Sequence, residues 1–491
     1  MSELMKLYPL GYVFSEEKLN DIPEHFNNEI IQDKYFYYYD EDVKPYIKEK
    51  NDAFLIVHGE FLYAGKDTNY SKNELVNLLF NQYIADYNKF LDTLDFIAGR
   101  YVIIVGLGAK VEFYPDAANT RSTYFSSHKN IFSSHVSLIN DQYKHSMHKY
   151  SKVLSTLNNA LYYTAYEGIK SSLPNFKIDF HKKTYERFFP RRDNEYTRKS
   201  EINRFELFEQ IWYQQLDYYF KNYSNFVFSI TGGGDSRFSL AFLKDYLNKI
   251  QFFTYTTSKE DDNTSSSTKG LSLDRKIVEQ IISDINLTHK FIYYRDNEKP
   301  LSDKEKHLLS KNTIAKHSSF LIPHIQEQYP QDNLKHIRGN LLEIGQTRNF
   351  RTRLKESNFE ELKNTYDSRY KKGISLEYEK EYYELFDFFI EDLNYMDNTF
   401  DYHILDLFHW ELRMGRWHSE ILNTHDIIFD TINPFNHRAI IDISLSFPYE
   451  KRNSEYMFKE LINRNFAVLN FYGDNKEENL YEQQRKKIYN I

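Results

Sequence analysis

FVFSITGGGDSRFSLAFL, residues 226–243, runs from a compact apolar segment through three glycines into an apolar helical pattern. A buried strand ending in such a loop brings backbone N–H groups close to a ligand. The helix that follows adds an aligned dipole and unpaired donors, a combination suited to phosphate. Ser229, Thr231 and Ser236 supply hydroxyls around Gly232, Gly233 and Gly234. Asp235 would be repelled by bare phosphate, so its position makes sense if it holds Mg²⁺. Arg237 is placed to clamp a phosphate or to pair with Asp235. Neither the GK[ST] ending of a Walker loop nor the GxGxxG spacing of a dinucleotide site is present. The alternative is a glycine turn capped by Asp235 with no ligand.

Outward from this stretch the chain alternates. Helical spacing over 202–220 precedes the loop and an apolar helix over 237–247 follows it. A strand over 251–256, a helix over 272–285 and a strand over 290–294 come next. That rhythm predicts a parallel α/β sheet. KEDDNTSSSTK, residues 259–269, reads as a polar surface loop, and the chain past 300 reads as mainly helical. Before residue 200, β-rich runs are joined by polar or glycine turns, as in hairpins. They cover 54–57 with 61–64, 101–105 with 111–114, and 123–126 with 131–134, and an amphipathic helix over 71–88 lies between the first two pairs. The expected division is one domain over 1–195 and a second over 196–491.

Composition narrows the chemistry. The 491 residues carry 63 basic and 71 acidic side chains, a formal charge of −8, which disfavours nucleic acid as a bulk electrostatic partner. Cysteine is absent, which removes disulfides, thiolate metal sites and any cysteine nucleophile. Tyr (42) and Phe (39) provide ample apolar area for burial. The longest apolar stretch, near 101–109, is far short of the roughly 20 residues of a membrane span. The first residues lack the pattern of a signal peptide. A cytoplasmic protein without membrane partners is expected.

The loop resembles SGGxDS, the pyrophosphate loop of the N-type ATP pyrophosphatases, with Thr231 in place of the first serine. HGEFLYA (58–64) resembles the NGEIYN element of the amidotransferase half of asparagine synthetase. AGRYVIIVGLGAKVEFYPDAANTRSTYF (98–125) and IFSS (131–134) resemble that family's next two elements, in the same order. The chain therefore resembles the asparagine synthetase superfamily, to which β-lactam synthetases and lasso-peptide cyclases are related. The resemblance implies an Ntn-hydrolase-like layered αββα domain followed by a parallel-sheet ATP pyrophosphatase domain with extra helices.

The departures are chemical. The family's glutaminase uses an N-terminal cysteine, whereas Ser2 stands here. His58 replaces the oxyanion-hole asparagine, and Asn73 stands where an aspartate would hold the glutamine amine. Only Gly59 and Glu60 remain. A glutaminase lacking nucleophile, oxyanion donor and clamp has little left to work with, so the first domain is expected to be a structural or substrate-shaping layer.

IRGNLLEIGQTR (337–348) resembles the family's SGxGxDE element, with Gly339 on the first glycine and Glu343 on the aspartate. Asp235 and Glu343 would then hold Mg²⁺ against pyrophosphate oxygens. ELRMGRWHSE (411–420) and INPFNHRAIIDISLSFP (432–448) resemble the region that closes the synthetase site. Glu411, Arg413 and Arg416 are candidates there for substrate or phosphate contacts. Lys476 falls near the family's late lysine, which stabilises charge on the adenylate phosphate. His403, His409, His418, His425 and His437 lack metal-ligand spacing and are expected to pack.

The implied activity is ATP- and Mg²⁺-dependent amide formation. A small-molecule or peptide carboxylate would be adenylated, and an amine would then displace AMP. Alternatives are an ammonia-dependent amidation of a sugar acid or metabolite, and a non-catalytic ATP- or partner-binding scaffold. The sequence leaves room for a homodimer.

Overall fold

The computed structural model describes residues 6–65, 69–157, 160–259, 265–315, 318–350 and 353–489. Ser2 lies outside them. The described residues build three sheets, two before residue 190 and one later.

The first sheet has six strands in the order Ile169–Ser171, Tyr124–Ser126, Ile131–Ser133, Tyr12–Ser15, Tyr35–Asp40 and Phe26–Ile31. The second has six in the order Tyr185–Arg187, Phe176–Asp179, Lys110–Pro115, Ile97–Leu107, Ala53–Tyr63 and Tyr46–Lys50. Alternation along the strands sorts their faces. Phe54, Ile56, Ile104 and Phe113 point inward and meet Phe14, Tyr37 and Phe132 of the first sheet. Leu55, Val57, Ile103 and Val105 point outward and are covered by Leu75, Leu79 and Phe90, from helices Lys72–Ala85 and Tyr87–Leu94. On the far side, Val136 and Ile139 of helix Val136–Tyr143 cover Val13 and Ile131. The layering is helix, sheet, sheet, helix.

One expected turn is absent. His58-Gly59-Glu60 lies inside a single strand, Ala53–Tyr63, paired with Ile97–Leu107 so that Gly59 faces Tyr101. Gly59 adopts φ +104°, which a side chain rarely tolerates. The glycine marks a kink within a strand rather than a reversal between two.

The third sheet is parallel throughout, in the order His289–Ile292, Ile250–Tyr255, Phe226–Ser229, Lys335–Ile337 and Asp430–Ile432. The last two strands escape the hydrophobic pattern because each has three residues. Helix Glu201–Asn222 begins at Ser200, whose side chain accepts from the Asn203 amide. Phe208 and Trp212 of that helix pack on Phe238 and Phe242 of helix Gly234–Phe242. That second helix starts earlier and ends sooner than its apolar pattern implied. The helix after the second strand, Ser266–Asp284, is capped by Ser265, so 266–269 belong to it rather than to a polar loop. Residues 260–264 of the expected loop lie outside the described ones.

One core runs from Leu55 and Phe90 through Phe205 and Trp212 to Phe228 and Phe252, so the layered part and the parallel sheet share packing. Buried polar contacts join them as well. Arg100 of the second sheet binds Asp426 through both guanidinium nitrogens, with 2.9 Å from Nη2 to Oδ2. Asn436 Nδ2 donates to Gly99 O at 2.6 Å and to Asp116 Oδ1 at 3.0 Å. Among the described residues no helix is long and apolar enough to cross a membrane.

Candidate functional site

Strand Phe226–Ser229 lies centrally, and its chain continues towards Ile250–Tyr255 on one side while Lys335–Ile337 lies on the other. The order of the parallel strands reverses between these neighbours. In open α/β sheets the crevice beyond the strand ends at such a reversal is where ligands bind. The loop 230–233 and the segment 338–345 leave the two strands at this point.

The loop is held by its own hydroxyls. Thr231 N donates to Ser236 Oγ at 3.1 Å, and Gly233 N donates to Thr231 Oγ1 at 3.3 Å. No side chain caps helix Gly234–Phe242, whose N-cap is Gly233. Its first amides are therefore left for an external acceptor. The Gly232 amide is engaged differently, donating to Asp274 Oδ1 at 2.8 Å. Burial pushes the Asp274 carboxyl up, and that amide pulls it down.

Asp235 is the most perturbed group of the loop. Burial first, and Glu343 across the crevice second, push its carboxyl up to about 7, while Arg348 acts in the opposite direction. Gln346 Nε2 lies 3.4 Å from Asp235 Oδ1. Glu343 is held low: burial pushes it up, but His409, Arg348 and Arg413 together outweigh that. His409 Nε2 stands 3.4 Å from Glu343 Oε2. Asp235 and Glu343, distant in sequence, thus lie close enough for the Glu343 charge to act on Asp235.

A cleft of 490 Å³ opens beside the helix start, and Asp235, Glu455, Lys459, Asp474 and Lys476 line it. Lys476 therefore shares a cavity with Asp235. A wider cleft of 1120 Å³ lies beyond the ends of strands Ile250–Tyr255 and His289–Ile292, lined in part by Tyr294, Leu301, Leu309 and Phe320. Tyr294 and Phe320 stack there with centroids 4.3 Å apart.

Several expected roles change. Arg237 lines the cleft beside Asp235 but makes no ion pair with it. Its buried guanidinium donates to Tyr472 O at 3.0 Å, to Gly232 O at 3.1 Å and to Gly473 O. Asn475 N also donates to Gly232 O, at 3.1 Å. Arg237 is thus a clasp that straps residues 472–475 onto the loop. Ser229 Oγ is engaged with His336 Nε2 of the neighbouring strand at 3.1 Å. Gly339 packs against the backbone of Asp235 rather than standing open to a ligand. Glu411 is buried against Arg187 at 2.5 Å, and Arg416 is buried beside Glu420 at 3.2 Å, so both are interior ion pairs. Arg438 donates to Pro115 O at 3.2 Å, so the 432–438 segment closes onto the layered sheets. Asn433 of that segment lies 3.5 Å from Asn340. Among the described residues no three His, Asp or Glu side chains gather to chelate a metal, and the C-terminal histidines pack.

Motif reading missed Asp274, Gln346, Arg348 and the strap at 472–475. Arg348 ended a quoted stretch, and Asp274 carried no signal beyond its place in an amphipathic helix. His58 and Glu60 are both engaged within the layered part. His58 is buried with Nε2 3.1 Å from Leu10 O, and burial pushes its ring down to about 3. Glu60 accepts from Lys72 at 3.0 Å and from Tyr218 at 2.7 Å.

No protein-family model and no curated protein matches the chain. Among solved structures it is similar to the glutamine-dependent NAD+ synthetase of Acinetobacter baumannii in complex with ADP. That likeness has 12% identity over 37% of this chain and 32% of that one, with a TM-score of 0.18. The chain thus spans only about a third of that protein's length. It is also similar to the glutamine phosphoribosylpyrophosphate (PRPP) amidotransferase of B. subtilis complexed with ADP and GMP, at 10% identity over 63% and 88%, with a TM-score of 0.23. A third likeness is to the NH3-dependent NAD synthetase of Campylobacter jejuni subsp. jejuni NCTC 11168 in complex with nitrate, at 13% identity over 46% and 96%, with a TM-score of 0.20. At TM-scores this low they assign neither fold nor function to this chain.

Proposed function

We propose that this chain is a cytoplasmic ATP- and Mg²⁺-dependent carbon–nitrogen ligase of the asparagine synthetase type. A carboxylate oxygen of the substrate attacks the α-phosphorus of ATP, giving an acyl-adenylate and releasing pyrophosphate. An amine then attacks the acyl carbon, AMP leaves, the nitrogen loses a proton and an amide forms. Hydroxide is a poor leaving group and AMP a good one, which is why activation must come first.

One observation supports this reading above the others. The uncapped helix start at Gly234, Asp235 with the charge of Glu343 acting on it, and the cavity-lining Lys476 come together at the reversal of the parallel sheet. The amides and Lys476 are suited to holding pyrophosphate. A carboxylate pushed up to about 7 by burial first and by a second carboxylate next is a site short of a cation, which fits Mg²⁺. Glu455 and Asp474 also line the cleft beside Asp235, and the ion's remaining ligands would be drawn from these acids, phosphate oxygens and water. Bound there, Mg²⁺ would offset the charge gathering on the departing pyrophosphate. The stacked Tyr294 and Phe320 border room for a bulky substrate.

Nitrogen would come from an amine rather than from glutamine, because His58 and Glu60 are committed to internal hydrogen bonds. An ammonia-dependent amidation of a sugar acid or metabolite differs only in its acceptor. The bond from Gly232 to Asp274 favours a second reading, a nucleotide- or partner-binding scaffold without chemistry, since it occupies one loop amide. Exchange of labelled pyrophosphate into ATP across a panel of carboxylic acids separates these. The ligase reading expects exchange with one class of acid, dependent on Mg²⁺, and product amide with amines but not with glutamine. ATP binding without exchange for any acid would leave the scaffold.

A further inference from the structure

Among the described residues the wider cleft of 1120 Å³ shares no lining side chain with the cleft beside Asp235. Its floor comes from three segments. Tyr294 follows strand His289–Ile292, Leu309 lies on helix Asp303–Asn312, and Phe320 lies on the turn Ser319–Leu321. These parts are fixed in place. Tyr294 and Phe320 stack at 25° with centroids 4.3 Å apart, and the Tyr255 ring meets them at 6.2 and 6.5 Å. Ser302 and Glu305 close a capping box at the start of the helix. Past its end, the Ile314 amide donates to the buried Glu420 carboxylate at 3.2 Å. Phe320 nevertheless stays 39% exposed, so apolar surface faces the open cleft.

Charge around this floor is one-sided. Lys259, Arg295, Lys299 and Lys306 line the cleft against one carboxylate, Glu298. Glu327 and Asp303 pair with Lys299 and Lys306. The half-buried Arg295 has no carboxylate partner among the described residues. Its Nε donates to Tyr294 Oη at 3.1 Å, Nη1 to Thr268 Oγ1 at 2.9 Å and Nη2 to Ser267 Oγ at 2.6 Å. Three neutral hydroxyls thus aim the guanidinium without cancelling its charge, and two of its five N–H donors remain. Such a fork suits the oxygens of a carboxylate. An apolar floor with one aimed cation beside it is complementary to an anion with an apolar body.

We propose that this cleft binds an apolar monocarboxylic acid, with its carboxylate on Arg295 and its body over Tyr294, Leu309 and Phe320. The inference deepens the ligase reading, on which the ligand's role as substrate rests, and it names the substrate class: acids selected by an apolar body.

Calorimetry on the full chain with octanoate, 2-naphthoate, octanol and octyltrimethylammonium tests this. Both carboxylates are expected to bind, octanoate about tenfold or more tightly than octanol, the scale of a charge-assisted hydrogen bond, and the cation more weakly than either. Affinity should rise about two- to fourfold per methylene from hexanoate to octanoate. Arg295→Met should erase the preference for octanoate over octanol, and Arg295→Lys, which keeps the charge, should retain part of it. Phe320→Ala, at an exposed position, should weaken 2-naphthoate about threefold or more, whereas the surface control Leu376→Ala should leave it unchanged. Octanol binding as tightly as octanoate, a preference surviving Arg295→Met, or displacement of octanoate by ATP overturns the proposal. Failure of the ligase reading appears separately, as absent pyrophosphate exchange with every acid while octanoate binding stands.

Discussion

A Cβ on Gly339 would stand 2.6 Å from the carbonyl oxygen of Asp235 and 2.5 Å from Ser239 Oγ. The glycine lets the chain leaving one strand close on the helix leaving its neighbour. That contact sets how far Glu343 lies from Asp235. The crevice is therefore dimensioned by backbone packing.

Gly339→Ala should lower the unfolding free energy by about 1–3 kcal/mol, the usual range for overpacking a tight site. Activity should fall further than the lost folded population explains, because the two lips would be pushed apart. Urea denaturation paired with exchange rates at low temperature reads both. Unchanged stability with unchanged activity would refute the packing argument.

The Asp235 carboxyl is raised from its ordinary range to about 7. Between about pH 4 and 7 the folded chain then holds a proton at this site that the unfolded chain has released, so this group's contribution to stability falls as pH rises. Thermal melts without divalent ions should show that slope, Asp235→Asn should remove it, and Mg²⁺ with pyrophosphate should reverse the loss above pH 7. Identical pH profiles for wild type and Asp235→Asn would contradict the raised carboxyl.

Lys476→Met should reduce turnover by about 10²–10³-fold, the scale for removing one stabilising group from a transition state. ATP affinity should weaken far less than turnover, and the melting temperature should move little, since the lysine lines a cleft. Steady-state kinetics with a nucleotide titration separates these quantities. A purely affinity-based defect would make Lys476 a binding group only.

Arg100 and Asp426 join the layered sheets to the parallel-sheet part through a buried bidentate pair. Removing one partner leaves the other charge buried, so Arg100→Met should destabilise by about 3–5 kcal/mol and Arg100→Met with Asp426→Leu by less. A double-mutant cycle in urea measures the coupling. Equal losses for single and double variants would place the interface energy elsewhere.

Much of this architecture can be read directly from the residues. The parallel strands at 226 and 250 are long enough to show as apolar runs, and the glycine loop announces itself by composition. The strands at 335 and 430 are short, and their apolar residues merge with neighbouring helical patterns. His58-Gly59-Glu60 looks like a turn because φ and pairing are invisible in a string of letters. Arg237, Glu411 and Arg416 show why charge in a motif is not yet a site. Each is buried: Arg237 and Glu411 are held by groups far away in sequence, and Arg416 by Glu420 four residues on and by Tyr163 O.

The central claim is that Asp235 and Glu343 receive a divalent ion together with pyrophosphate. Mn²⁺ titrated into the full chain and followed by electron paramagnetic resonance, with and without pyrophosphate, tests it most directly. One tight Mn²⁺ per chain should appear only when pyrophosphate is present, and should disappear in Asp235→Asn and weaken in Glu343→Gln while both variants remain folded. Mn²⁺ binding that ignores pyrophosphate, or that survives loss of both carboxylates, would contradict the account.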